Sequence, residues 1–241
     1  MAFTYSPKIV TDGLVLYLDA GNPYSYVSGS TVWNDLSRSQ VSGSLINGPT
    51  FSTGSGGSII FDGVNDYGLL EFSFSGYEGT FDYWVRTTNT GSYLFVANKG
   101  SLTANPNLSN GITIITPDYN TGSVLVYLNN STGVNKTAIQ ALSSTNIRNG
   151  NWYNITVTLG YIASTSSLSL YLNGVLQNSQ SRTLDYLDFF NLTNTYYLAA
   201  QSPTLARSQM DIANHKIYNR ALSSQEVLQN YNATKGRFGL I

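Results

Sequence analysis

The 241-residue sequence contains no cysteine and a single histidine, His215. The first absence excludes disulfide frameworks, thiolate metal sites and a cysteine nucleophile, and the second excludes multi-histidine zinc cages. Charge is scarce as well. Charged residues make up 10% of the chain, against roughly 25% in an average soluble domain. Twelve Lys plus Arg against 13 Asp plus Glu leave a net charge of -1, so no sustained basic field exists to collect phosphates and nucleic acid is not an expected partner. No window holds the roughly 18 consecutive apolar residues of a membrane helix, so no membrane partner is expected. Residues Met1 to Lys8 lack the basic flank and apolar run of a secretory signal, which predicts synthesis in the cytoplasm without a leader.

What is abundant is the vocabulary of β structure. Val, Ile, Thr, Tyr and Phe recur in short runs separated by Gly, Asn and Ser clusters, while helix formers are few. Leu14 to Leu18 reads apolar throughout, as a fully buried strand would. Ser58 to Phe61 and Tyr67 to Leu70 flank a turn at Asp62 to Asp66. Further strands are predicted at Thr80 to Thr87, Ser92 to Ala97, Gly111 to Thr116, Ser123 to Leu128, Trp152 to Leu159 and Leu168 to Leu172. Asn173 and Gly174 suit the two positive-φ positions of a type I′ turn, which pairs the last of these with Val175 to Gln177. Near the end, Ser223 followed three residues later by Glu226, with Val227, Leu228 and Tyr231 behind it, spells a capping box opening a short amphipathic helix. The length fits one β domain: an N-terminal arm over 1–10, a body over 11–235 and a tail over 236–241. The ends are expected to lie along the surface or reach a neighbouring subunit, so that trimming 1–8 or 236–241 leaves a folded domain with weakened assembly.

Five blocks, in order, resemble the laminin-G-like or concanavalin-A-like jelly-roll family. They are Gly13 to Ala20 with Trp33 to Ser37, Ile60 to Tyr67, Thr80 to Arg86, Asn151 to Val157 with Leu170 to Gly174, and Ile212 to Ser223. The resemblance implies an all-β fold, a two-sheet antiparallel jelly-roll sandwich with one short C-terminal helix, whose core includes Trp84, Trp152, Phe61, Tyr17 and Ile217. The ending Tyr231 to Phe238 also resembles tails on such domains in structural proteins of tailed phages.

Some jelly rolls of this kind are glycosidases, which need two carboxyl groups about 5 to 9.5 Å apart across a cleft. Only Glu71, Glu78 and Glu226 are glutamates, no alternating acidic string occurs, and Asp185 with Asp188 is the densest later pair. His215 falls in the last strand pattern and is expected on the sheet surface rather than as a general base. Relatives often hold Ca²⁺ at the sheet rim, but the loop Ala199 to Gln209 carries no carboxylate. That leaves Asp62, Asn65 and Asp66 as metal candidates, although Asp and Asn are also natural turn residues. No cofactor is expected, Ca²⁺ being the one to test.

Eighteen tyrosines remain, each an apolar face with a polar tip suited to sugar stacking or protein contact. Tyr24, Tyr26 and Trp33 in the opening loop region, with Tyr93 and Tyr119, are the ligand-binding candidates; local packing is the alternative for each. The expectation is therefore a non-enzymatic virion protein, a decoration or fibre-associated subunit of a tailed phage, that contacts other virion proteins, forms a homo-oligomer on the particle and touches host surface glycans. The alternatives are a free carbohydrate-binding lectin and a polysaccharide depolymerase.

Overall fold

The computed structural model describes residues 7–71, 78–90, 94–100, 111–116, 122–130, 137–183 and 195–241. Two antiparallel sheets stack face to face, as the sequence predicts. The first contains β1 (Leu14–Asp19), β4 (Thr50–Ser52), β5 (Ser58–Asp62), β7 (Gly79–Arg86), β12 (Trp152–Ile162), β13 (Thr165–Leu172), β14 (Val175–Thr183) and β16 (Gln209–Tyr218). Its order is β14-β13-β12-β7-β16-β5-β4, with β1 also paired to β16. The second contains β2 (Val32–Trp33), β3 (Gly43–Ile46), β6 (Tyr67–Leu70), β8 (Leu94–Gly100), β9 (Gly111–Thr116), β10 (Leu125–Asn130), β11 (Thr137–Leu142) and β15 (Tyr196–Leu198). Its order is β11-β10-β9-β8-β15-β6-β3-β2. Asn173 and Gly174 have φ of 51° and 75° and join β13 to β14 with Leu172 opposite Val175.

Period-two alternation builds the interior. Leu16 and Leu18 of β1, Ile59 and Phe61 of β5, Phe81, Tyr83 and Val85 of β7, Ile155 and Val157 of β12 and Ile217 of β16 meet Leu70, Val96, Ile114, Val126 and Leu198 from the facing sheet. Two expectations need correction here. β1 is not buried on both sides: Leu16 and Leu18 point inward while Tyr17 is half-buried on the outer face. Trp84 and Trp152 are buried, but beneath the C-terminal segment, on the face away from the other sheet.

That outer face is closed by α1 (Ser224–Thr234) and the 3-10 turn Lys235–Phe238. The capping box forms, with the Ser223 hydroxyl accepting from the Glu226 amide and the Glu226 carboxylate accepting from the Ser223 amide. Val227 and Leu222 pack with Tyr171, Tyr218 and Val10. Tyr231 and Phe238 stack on Trp84 at 5.8 and 4.0 Å, and the Trp84 indole N–H donates to the Thr234 hydroxyl. Arg237 donates to the Asp19 carboxylate at 2.5 Å and to the carbonyls of Ser55 and Gly57 at 2.9 and 2.5 Å.

The C-terminal segment is therefore packed onto the outer face of the first sheet. Residue 10 is held too, its amide donating to Asn230 Oδ1 at 2.8 Å and its carbonyl accepting from the Tyr218 hydroxyl at 3.0 Å. Arg237→Ala removes charge-assisted hydrogen bonds and is expected to cost about 2 to 3 kcal/mol. Phe238→Ala, which uncovers two indoles, is expected to cost about 2 kcal/mol. Urea denaturation measures both, and losses under about 0.5 kcal/mol would show the tail to be dispensable to the fold.

Candidate binding surface

The acidic side chains show first what the protein can do chemically. Asp12 and Glu226 pair with Arg220, Asp19 with Arg237, Asp211 with Arg86 and Asp82 with Lys216. Asp35 accepts from the amides of Tyr17, Ser37 and Val41 and so organises the loop after β2. Glu78 accepts from the Tyr161 amide. Glu71 stands exposed just beyond β6, and Asp185 and Asp188 lie outside the described residues. Apart from Glu71, the described acids named here are engaged in holding strands and loops in place. For Glu226 the hydrogen bond from Arg220, aided by the cap amide of Ser223, brings the pKa down to about 2, which favours the ionised form over one tuned to move a proton.

His215 is not on the sheet surface. It is fully buried between the sheets, stacked 4.2 Å from Tyr83 and 5.5 Å from Tyr196. A bulge between Ile212 and Asn214 shifts the register against β7; a bulge adds one residue and reverses the facing of everything after it. Burial drives the imidazole pKa down to about 3, helped by the Lys216 charge and opposed by the contact of Nδ1 with the Asp82 carbonyl. The folded chain thus binds fewer protons than an unfolded one, whose histidine titrates near its ordinary value of 6.5. Stability contributed this way is complete above pH 6.5 and declines as pH falls toward 3. Between pH 6.5 and 5 the wild-type chain is expected to lose stability in urea titrations, and His215→Phe to lose less; identical slopes would contradict the neutral buried imidazole.

The metal candidates resolve into a turn. Asp62 Oδ1 accepts from the amides of Val64 and Asn65 at 2.7 and 3.3 Å, and Asp66 Oδ2 accepts from the Asp62 amide at 3.3 Å. Burial raises the Asp62 pKa, but these amides outweigh it and leave the pKa lowered; Asp66 is raised by burial and by the Asp62 charge. Among the described residues no group of three or more His, Cys, Asp or Glu is placed to hold a metal ion. Asn65 contributes its carbonyl to Asn47 Nδ2, so the segment is spent on its own backbone as it crosses from β5 in one sheet to β6 in the other.

The aromatic candidates separate sharply. Tyr24 is 85% exposed, whereas Tyr26 is 4% and Trp33 0% exposed, both in the main core. Tyr26 and Trp33 are corrected to packing residues: Tyr26 tilts against Phe51 at 5.3 Å, and Trp33 belongs to the short strand β2. Tyr93 and Tyr119 lie outside the described residues. The loop that displays Tyr24 is firmly held. Ser25, fully buried, accepts from the Asp19 amide at 3.0 Å and donates to the Asn34 carbonyl at 2.6 Å, while Asn22 Oδ1 accepts from the Tyr24 amide at 3.0 Å. A rigid loop with one outward phenol ring is a ready stacking platform. Among the described residues no helix is long and apolar enough to cross a membrane.

Comparison with known proteins agrees with this architecture. The family model for the concanavalin A-like lectin/glucanases superfamily matches residues 50–228. No curated protein sequence matches the chain. Among solved structures, the binding domain of paraclostridial mosquitocidal protein 1 superposes with a TM-score of 0.67 at 18% identity, over 92% of this chain and 52% of that one. The botulinum neurotoxin serotype D ligand binding domain in complex with N-acetylneuraminic acid gives 0.66 at 17%, over 92% and 51%. The botulinum neurotoxin type G receptor binding domain gives 0.64 at 15%, over 91% and 51%. The chain thus spans about half the length of these structures, and at such identities the shared property is the fold.

Proposed function

The chain belongs to the concanavalin A-like lectin/glucanases superfamily, and we propose that it is a non-catalytic binding module that recognises surface carbohydrate. The observation that carries this reading is the contrast on one scaffold between acids consumed by structural pairing and Tyr24 held outward on a pinned loop. A rigid sandwich can present such a loop without disturbing its core. The superposed serotype D domain was solved with a bound sugar acid, which is consistent with this use of the fold. The setting we propose is the virion that the C-terminal resemblance implies, where the module decorates the particle or its fibres, assembles as a homo-oligomer with other virion proteins and contacts host glycans. Mass spectrometry of purified particles tests that setting, and absence of its peptides would remove it.

For the binding itself, a glycan array is expected to give saturable signal. Loss of one stacking ring is worth about 1 kcal/mol, so Tyr24→Ala is expected to weaken binding about fivefold while leaving stability within about 0.5 kcal/mol, as for other exposed sites. A blank array would overturn the reading. Release of reducing ends from an array-positive polysaccharide would overturn its non-catalytic part.

A further inference from the structure

The C-terminal segment leaves one end of the first sheet's outer face open, and there a cleft of about 260 Å³ lies at the Arg86 end of β7. Strand register places a transverse row of side chains across it. Ile60 of β5 is opposite Asp211 of β16, Asp211 is opposite Arg86 of β7, and Arg86 is opposite Trp152 of β12. Three of these strands thus line the cleft, in sequence, with an apolar surface, a carboxylate and a guanidinium, and the buried Trp152 on the fourth backs the guanidinium. Gln209 and Thr88, both exposed, stand among the lining residues.

The polar groups in this row are fixed but not exhausted. Arg86 uses Nε and Nη2 on a single oxygen of Asp211, Oδ2, the Nε contact being 3.0 Å, and its guanidinium carbon lies 5.0 Å from the centre of the Trp152 ring. Asp211 Oδ1 is left to accept and Arg86 Nη1 to donate, on side chains 14% and 38% exposed. The rim is tied down as well, with the Thr87 hydroxyl donating to the Gln209 carbonyl at 2.7 Å and the Gly150 amide donating to the Thr87 carbonyl at 3.0 Å. Such preorganisation lowers the entropy cost of binding.

We infer that this cleft is a subsite for one neutral sugar residue, with adjacent hydroxyls placed between Asp211 Oδ1 and Arg86 Nη1 and the C–H side of the ring against Ile60. The inference rests on the carbohydrate-binding reading above and deepens it. Three features select this ligand class. The volume is below the roughly 300 to 1,000 Å³ of pockets that enclose drug-sized ligands, so one ring fits better than an extended chain. An acceptor beside a donor matches neighbouring hydroxyls, each of which can both give and take a hydrogen bond. The guanidinium charge is already balanced by Asp211, so a carboxylated sugar would find no spare cation and would meet the carboxylate.

Amide NMR of the ¹⁵N-labelled full chain tests this, with neutral methyl hexosides, N-acetylneuraminic acid and any oligosaccharide the array returns as probes. Saturable shifts are expected at Thr87, Thr88, Gly150, Gln209 and Asp211 with a neutral sugar and not with the acid. Arg86→Lys, which cannot keep the paired fork and a free planar donor together, is expected to weaken that binding about tenfold. Gln209→Ala and Thr88→Ala, at exposed positions that leave the fold intact, are each expected to weaken it about threefold. Saturable shifts confined to the Tyr24 loop, or preference of this cleft for the acid, would overturn the subsite and leave the carbohydrate reading standing. A blank array with no saturable shift from any sugar would remove both.

Discussion

A buried ion pair sets the terms for the rest of the molecule. Lys216 and Asp82 sit opposite one another on β16 and β7 with both side chains 0% exposed, Nζ to Oδ1 at 3.0 Å. Withdrawing two charges from water costs several kcal/mol per ion, and removal of one partner from such a pair typically costs about 3 to 5 kcal/mol. The pair persists within a network of further hydrogen bonds: Asn154 Nδ2 and the Thr156 hydroxyl donate to Asp82, and Lys216 donates again to Asn214 Oδ1. All of these groups lie on the outer face of a sheet, which is ordinarily wet. They are dry because the C-terminal helix and tail lie over that face, and this gives the last residues of the chain a structural role.

The lid is itself locked by fit. Arg237 reaches the carbonyls of Ser55 and Gly57 only because the surrounding backbone carries no side chains. A Cβ on Gly21 would lie 1.9 Å from the Gly56 carbonyl oxygen and 2.7 Å from Arg237 Nη2. Gly57 has a φ of 112°, and a Cβ there would lie 2.7 Å from the Gly21 Cα. Close approach and positive φ together restrict these positions to glycine. The cluster of small residues before β5 is the receptor for the tail.

Much of the architecture was readable where local signals are long or chemically specific. β7, β9, β12 and β13 have enough alternating residues to declare themselves, the Asn173–Gly174 turn states its φ requirement, and Ser223 with Glu226 announces the helix start. β2, β3, β4 and β15 escaped because strands of two to four residues carry too little period to stand out from loop; β6, equally short, was read from the turn beside it, and the six-residue β11 escaped as well. His215 lies two residues before Ile217 and shares its inward face, so alternation already placed it inside; it was misplaced on its polarity. The sandwich also has a second kind of buried position, the outer face under the tail, which hydropathy cannot tell from the inter-sheet core; hence Trp84 and Trp152 were rightly read as buried but assigned to the wrong side. Tyr24 and Tyr26 show the same limit at the binding surface. They are two residues apart in one polar loop, and only the fold distinguishes them: the Asn22 carbonyl accepts from the amides of Ser25 and Tyr26, turning those side chains inward and leaving Tyr24 outside.

The outer face of the first sheet thus divides into two regions with different uses of the same chemistry. Lys216–Asp82 and Asp211–Arg86 are both pairs between β16 and β7, in opposite order and five residues apart along β16. Under the lid, the first pair is closed off from solvent, so its partners come from protein and the result is a structural joint. Past the lid, the second pair remains in contact with solvent, so nothing forces Asp211 Oδ1 or Arg86 Nη1 into an internal bond. Residues 224–240 cover the sheet around the first pair and not the second, so the first serves as a joint while the second retains a free acceptor and donor at the cleft.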